Sequence, residues 1–569
     1  LGILGLFGIL ATRIVTLHLE HGEQLRGLAQ KQRMVEEEIL PRPGDLLDRQ
    51  GRVLATSLET QSLFVAPRRM ADKTLCARQL AGVLGLDPRT LAERFHSQAG
   101  KGFLWVQRRL SPEEVTAIRR LKLPAETWGF RTEYRRFHPQ GVCAAQVLGQ
   151  RTIDGVGQGG IEAVCDRRLR GEPGRRRLKL DARGRVLEVL PDPNRPVRQG
   201  ENITLTLDVY IQLQAERVLD EVLAEWKPKS ACAVVLDPHT GEVLAMASRP
   251  TWDPEHPEQA PPEAWTNRAI QDQYEPGSTF KPLIVAWGLD QGVIRRDEVL
   301  SCEHGEYRMG KRVLHDHHPY GDLSIAEILA KSSNIGMAKI GERLTNPRLH
   351  AITVAAGFGS KTGIELPGES PGRVWPLKRW TRYSTGSIPM GQELTATPLQ
   401  IANSLALLAN GGSLVTPHIV RPEEGEEARS TVRTQVIQKE TADWLRQGPL
   451  VDVVAKGTGK KAAIPGYRVF GKTGTAQKVD PETGEYSRQL HVSSFVCGAP
   501  ADHPRAVVIV SVDEPSVSVN GEHFGGSVAA PAAGRLLRKV LEYLRVAPEV
   551  SAGPGTNVAR EPESAESPL

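Results

Sequence analysis

Ser278 and Lys281 stand three positions apart in the stretch EPGSTFKP, and no other serine of the chain has a lysine at the third position after it. Three residues are just under one helical turn, so the hydroxyl and the amine can share one face. Serine is also a favoured helix N-cap, and Pro276 and Gly277 read as a turn entering a helix over PLIVAWGL. The pair is therefore either a cap with an incidental neighbour or a nucleophile with its base. The chemistry of the second reading is acyl transfer, which needs a base, a second polar group to relay the proton, and N–H donors for the oxyanion. A lysine is a base only when neutral. Bringing its pKa from about 10.4 to about 7 costs roughly 4–5 kcal/mol, which burial or a second cation must supply. The pattern thus demands another lysine close by.

Two short motifs qualify, and each has a duplicate. Lys-Thr-Gly occurs at 361–363 and at 472–474. The first lies in GFGSKTGIELPGE, where Gly, Ser and Pro mark a surface loop. The second lies in YRVFGKTGTAQK and reads as a strand edge, able to aim backbone N–H groups and hydroxyls into a cleft, with Gly474 letting a substrate approach closely. Ser-x-Asn occurs at 332–334, where the amphipathic helix LSIAEILAK ends and Ser332 and Asn334 can face one cleft. It recurs at 518–520 in SVSVNGEH, a turn. The copies at 361 and 518 are assigned to structure. His315, Asp316, His317 and His318 crowd one loop, but adjacent histidines seldom converge on one ion, and no metal is expected. Glu275 is expected to face solvent or a salt bridge. Tyr320 and Trp252 either line a cleft or belong to the core.

These side chains need a scaffold, and 569 residues suffice for two or more domains. An apolar fraction of 40% with 24% charge is that of a globular protein. The net charge of +5 is small, no dense Lys/Arg run alternating with aromatics stands out, and nucleic-acid binding has no support. The 55 Gly and 40 Pro imply many turns. Six cysteines include no C-x-x-C; Cys232 and Cys497 lie in apolar strand-like runs and read as buried thiols, and disulfide pairing stays open. LGILGLFGILATRIVTLHL is apolar but shorter than the ~20 residues a spanning helix needs. A truncated transmembrane anchor is preferred to a signal-peptide remnant, because no small-residue cleavage site follows. A polar helix then leads to irregular text from Pro41 to about Gln199, with short strands, one helix near SPEEVTAIRRL, and the basic GRRRLKLDARGR, a solvated face. From Asn202, NITLTLD alternates like a strand, YIQLQAERVLDEVLAEW is a helix, and ACAVVLDPHTGEVLAMA is a hairpin. Helices and strands alternate onward to AVVIVSVDEP and a last helix, GRLLRKVLEYL. The Pro/Ser/Glu/Gly-rich tail after Ala547 is expected to be disordered. This second half is an α/β or α+β domain of enzyme size.

STFK, SSN and KTGT, in that order and separated by long helical segments, resemble the three active-site motifs of the penicillin-recognising serine enzymes. NRAIQDQYEPGSTFKP, GQELTATPLQIANSLALLANGG and KGTGKKA agree with that likeness, which runs from about Pro41 to Leu544. Within the superfamily the chain most resembles a class B penicillin-binding protein, a membrane-anchored peptidoglycan D,D-transpeptidase. GDLLDRQGRVLA, RRFHPQGVCAAQVLG and GIEAVCDRRLRGEPG resemble the non-catalytic pedestal of that class. Where the family usually has Arg directly before the first Gly, this chain has Pro43, with Arg42 one place earlier. The ending SSFVCGAPADHPRAVVIVSVDEP…FGGSVAAP is more similar to the division-specific subgroup than to the elongation-specific one. No segment resembles a glycosyltransferase domain.

The resemblance implies an α/β (α+β) transpeptidase domain with a central antiparallel sheet and a helical lobe, after a β-rich pedestal and an N-terminal anchor. The implied boundaries are 1–19 for the anchor, 20–200 for the pedestal, 201–546 for the transpeptidase and 547–569 for the tail. It implies Ser278 as nucleophile, Lys281 as its base, Ser332 as relay, Asn334 binding Lys281 or the substrate backbone, and Lys472 lowering the Lys281 pKa and attracting the substrate carboxylate. Thr473, Gly474 and Thr475 would bind substrate, and the N–H groups of Ser278 and Thr475 would form the oxyanion hole. No cofactor is implied. The implied partners are stem peptides ending in D-Ala-D-Ala, an acceptor amine, β-lactams, the membrane, a glycosyltransferase and other division proteins. The implied place is the plasma membrane, crossed once, with the catalytic domain outside. A β-lactamase or carboxypeptidase would share the motifs, as would an elongation-specific enzyme or a catalytically idle division scaffold; a penicillin sensor would need a cytoplasmic signalling segment, which the chain as given does not contain.

Overall fold

The computed structural model describes residues 2–181, 186–422, 433–480, 484–516 and 524–549. The chain divides into two compact units, Leu1–Gly141 with Leu148–Thr204, and Val142–Val147 with Leu205–Leu569. The main elements of the first are α1 (Gly2–Arg33), β1 (Met34–Ile39), β2 (Val53–Val65), α2 (Lys73–Leu84), α3 (Pro88–Ser97), β3 (Leu104–Leu110), α4 (Pro112–Arg120), β4 (Trp128–Phe137), β5 (Gly174–Leu180) and β6 (Val186–Pro191). Among the described residues no helix is long and apolar enough to cross a membrane.

The polar helix expected to run through MVEEEI stops at Arg33 instead. Glu36, Glu37 and Glu38 of β1 lie opposite Arg177, Arg176 and Arg175 of β5, and a strand satisfies both charge runs at once. The long strand β2 pairs antiparallel with β4 along most of its length and with β3 over its second half. The helices close over this sheet on a core that includes Leu63, Val65, Leu80, Phe95 and Ile118. Ser111 and Glu114 form a capping box that starts α4. Behind the sheet, Glu162 is fully buried and accepts from Arg136 Nε and Arg151 Nη1, each at 2.6 Å. Arg42, displaced by Pro43, donates to Asp45 at 2.8 Å and to Thr56 Oγ1 at 3.0 Å, so it ties the chain entering β2 to the strand itself.

The second unit carries α5 (Val209–Trp226), β7 (Ser230–Leu236), β8 (Val243–Arg249), α6 (Lys281–Asp290), β9 (Glu306–Met309), β10 (Arg312–His315), α7 (Ile325–Lys331), α8 (Asn334–Ala355), α9 (Pro398–Ala409), β11 (Phe470–Val479), β12 (Tyr486–Ala499), β13 (Ala506–Asp513) and α10 (Ala529–Tyr543). Of the strand expected in NITLTLD only Ile203–Thr204 forms. Five strands make one antiparallel sheet in the order β8-β7-β13-β12-β11. Its apolar alternation faces α5 and α10 on one side, through residues such as Ala233, Val235, Val508, Val510 and Leu537. Helix α9, started by a Thr397–Gln400 capping box, is buried along its whole length. Strand β11 lies at the edge of the sheet, which leaves one side of the Lys-Thr-Gly segment unpaired. Ser518, Asn520 and residues 550–569 of the tail lie outside the described residues.

Candidate active site

Ser278 sits in one 3-10 turn, Gly277–Phe280, with Pro276 rather than Ser278 at its N-cap position and no side-chain cap bond. The hydroxyl is therefore not used as a cap. The turn runs straight into α6, whose first residue is Lys281 and whose next, Pro282, stands where a missing N–H leaves nothing unsatisfied. Gly277 has φ +55°, and a Cβ there would lie 3.3 Å from Thr475 O. A left-handed backbone pressed against a neighbouring strand requires glycine. That contact brings the Ser278 turn onto the edge of β11.

Lys281 is wholly buried, and four oxygens lie within hydrogen-bond distance of its Nζ: Ser332 O at 2.7 Å, Asn334 Oδ1 at 2.9 Å, Ser332 Oγ at 3.2 Å and Ser333 O at 3.3 Å. These acceptors converge because two helices meet there. Helix α7, capped by Ser324 and Glu327, ends at Ser332 in the left-handed conformation (φ 59°). Ser333 then caps α8 by accepting from Gly336 N–H. A left-handed serine costs about 1–2 kcal/mol, and here it aims both the carbonyl and the hydroxyl of Ser332 at Lys281.

Across the cleft, Lys472 of β11 is also wholly buried and donates to the same Ser332 Oγ at 2.9 Å. One hydroxyl thus bridges two lysines. Burial brings Lys281 down to about 7, opposed by the charge of Asp316. Lys472 is pushed well below its ordinary value by burial and then by the charge on Lys281. Of the two causes the sequence offers for Lys281, burial or a second cation, removal from water is the larger. Thr473 Oγ1 and Thr458 Oγ1 are hydrogen-bonded at 2.8 Å, and Thr475 Oγ1 accepts from Gly525 N–H at 3.1 Å. A Cβ on Gly474 would meet Ser494 Oγ of β12 and, at 2.9 Å, Thr279 Cγ2 of the Ser278 turn, so this position has no room for a side chain.

Residues 231–538 match the penicillin binding protein transpeptidase domain, and residues 38–205 match the penicillin-binding protein dimerisation domain. The chain belongs to the class B penicillin-binding proteins. It is 34% identical over 553 residues to stage V sporulation protein D of Bacillus subtilis, covering 95% of this chain and 84% of that one. It is 32% identical over 516 residues to the peptidoglycan D,D-transpeptidase FtsI of Escherichia coli K12, covering 89% and 84%. Among solved structures, penicillin binding protein 3 of Mycobacterium tuberculosis complexed with ampicillin aligns at 26% identity and TM-score 0.71, over 91% of this chain and 98% of that one.

In this penicillin-binding protein the structure adds residues that the motifs did not single out. Asp316, in the histidine-rich loop, accepts from Asn334 N–H, from Ile335 N–H at 3.1 Å and from Ser333 Oγ at 2.6 Å, so it caps α8 and holds the Ser-x-Asn turn in place. Asn334 Nδ2 donates to His315 O at 3.1 Å, which orients its oxygen toward Lys281. His317 stands edge-on to Phe524 at 5.8 Å; desolvation and then the charge of Lys281 hold it below its ordinary pKa. Loss of solvent and two acceptor bonds, from Tyr486 OH at 2.8 Å and Glu393 N–H at 2.9 Å, place Glu275 in a neutral hydrogen-bond network instead of the expected solvent or salt bridge. Burial, the larger cause, raises the Glu275 pKa. Lys361 is exposed on its loop, with Thr362 bonded to Glu369. Trp252 is buried and stacks on Trp265, and Tyr320 lies under Lys331. Among the described residues no group of three or more His, Cys, Asp or Glu side chains is placed to hold a metal ion.

Proposed function

We propose that this penicillin-binding protein cross-links peptidoglycan as a D,D-transpeptidase, through an ester on Ser278, in the wall of the division septum. The observation that carries the reading is the single hydroxyl, Ser332 Oγ, shared between two buried lysines. A neutral Lys281 has two N–H donors and one lone pair. It keeps its bonds to Ser332 O and Asn334 Oδ1 and turns the lone pair to Ser278. Ser278 Oγ then attacks the carbonyl carbon of the penultimate D-Ala while its proton passes to Lys281 Nζ. The C–N bond to the last D-Ala breaks, and the proton reaches the departing amine through Ser332 Oγ. An amine of a second peptide attacks the ester, forms the new amide and returns the proton to Ser278. A carboxylate arriving at Thr473 and Thr475 favours the ammonium form of Lys472, and the N–H groups of Ser278 and Thr475 receive the oxyanion, where one donor is worth about 3–4 kcal/mol.

The septal assignment draws on the likeness to FtsI and on the ending after β12. The likeness to stage V sporulation protein D supports a second reading, wall synthesis tied to sporulation. The substrate lies outside the plasma membrane, so the catalytic unit is assigned to that side, with membrane attachment through the apolar residues up to 19. Glycan polymerisation is assigned to a separate glycosyltransferase. The test is a donor–acceptor assay with a stem-peptide donor and a D-amino-acid acceptor. Amide exchange in excess of hydrolysis supports the transpeptidase; hydrolysis alone would favour a carboxypeptidase.

A further inference from the structure

The chain does hold one run in which cations alternate with aromatics. Residues 373–383, RVWPLKRWTRY, carry four cations and three aromatic rings and no carboxylate. Some arginines of this protein are neutralised by ion pairs, such as Arg136 with Glu162 and Arg249 with Asp220. Among the described residues, Arg373, Lys378, Arg379 and Arg382 form none. Instead they stack. The guanidinium carbons of Arg373 and Arg379 lie 4.9 and 4.6 Å from the ring centre of Trp375, and that of Arg382 lies 4.9 Å from Tyr383. Stacking occupies the face of a guanidinium and leaves its N–H edge available to an anion, although Arg382 Nη2 already donates to Tyr383 OH at 2.9 Å. Trp380 Nε1 donates to Trp375 O at 2.9 Å, and the Trp380 ring abuts His350 at 5.3 Å, so the platform is rigid before anything binds.

Each end of the platform contacts other elements of the second unit. Arg373 pairs with Thr395 and lines a cavity of about 450 Å³ together with Gln477 and Lys478 of β11 and with Glu275, three residues before Ser278. At the other end Tyr383 OH accepts from the Lys311 N–H, between β9 and β10, and β10 leads directly into His315 and Asp316.

We propose that residues 373–383 are a docking surface for a carboxylate-bearing glycan polymer. Its ligand is the peptidoglycan strand itself, with stem peptides passing along the Arg373 cavity toward the cleft. Arginine edges match carboxylates in a bidentate fashion, and the fixed aromatic rings pack against sugar faces. A membrane surface fits less well, because insertion needs free apolar side chains and only Leu377 of this segment is a strongly exposed one, at 38%. The inference rests on the transpeptidase reading above.

The test compares the full chain with an Arg379→Glu/Arg382→Glu variant in co-sedimentation with purified insoluble peptidoglycan sacculi. The parent should sediment with sacculi and be released in about 0.5 M salt, where the screening length falls to about 4 Å. The variant should bind at least about tenfold more weakly, while its acylation by a reporter penicillin stays within about twofold. A Lys378→Glu variant, altered at an exposed position, should lose about threefold and serves if the double variant melts early. Equal sedimentation of parent and variants would overturn the proposal, as would parent binding to phosphatidylglycerol vesicles without binding to sacculi. Failure of the parent to be acylated by penicillin would sink the transpeptidase reading and leave the sacculus result to decide the surface alone.

Discussion

Acylation of Ser278 should rise about tenfold per pH unit below about pH 7 and level off above it, because only neutral Lys281 can accept the serine proton. Burial lowers Lys281 from 10.5 to about 7. That depression corresponds to roughly 5 kcal/mol. An exposed lysine would be neutral in about one molecule in three thousand at pH 7, whereas about half the population of this site is neutral. The four acceptors around Nζ favour the ammonium, and desolvation outweighs them. The same shift acts on folding. Between about 7 and 10.5 the unfolded chain binds a proton at Lys281 that the native chain does not, so this group makes stability rise with pH across that window. Lys472, also depressed, acts in the same sense. The assay is stopped-flow acylation by a reporter penicillin, from about pH 5 to about pH 9, with a circular-dichroism control at each pH. A flat profile, or an inflection near the ordinary lysine value, would refute the assignment of Lys281 as base.

Asp316→Asn should lower the apparent pKa of acylation, since the carboxylate raises that of Lys281, while its amide oxygen still caps α8 and stability changes by less than about 1 kcal/mol; a pH–rate profile with a thermal melt reads both. Gly474→Ala should destabilise by about 1–3 kcal/mol, measured by denaturant unfolding, because the new methyl meets Ser494 and Thr279. Ser332→Ala should reduce acylation about 10²- to 10⁴-fold while leaving the melting temperature nearly unchanged, as it removes the hydroxyl between the lysines. Glu162→Gln in the first unit should cost about 3–5 kcal/mol, because Arg136 and Arg151 would be left buried without their shared counter-charge.

The three motifs of the candidate site were legible because each is a short local pattern whose proposed chemistry states its own requirement. The need for a neutral lysine at 281 pointed to a second lysine, and the strand-edge setting of 472 separated it from the loop copy at 361. What stayed hidden depends on contacts distant in sequence. The 34–39 segment is a strand because arginines 139 residues away complete its charge ladder, as the Glu36–Arg175 pair illustrates. Asp316 is one carboxylate in a histidine-rich loop until the fold places it at the start of α8. Ser332 in a left-handed conformation has no sequence mark, since nothing but packing holds a serine there. The cationic run at 373–383 was obscured by a small overall charge, which averages paired and unpaired arginines together.

The measurement that bears most directly on the central claim is digestion and mass mapping after exposure to a reporter penicillin. A stable adduct confined to the Ser278 peptide, abolished by Ser278→Ala and slowed by Lys281→Ala, is the expected result. Folded protein that acquires no adduct, or acquires it on another residue, would contradict the account of Ser278 as the acylated nucleophile.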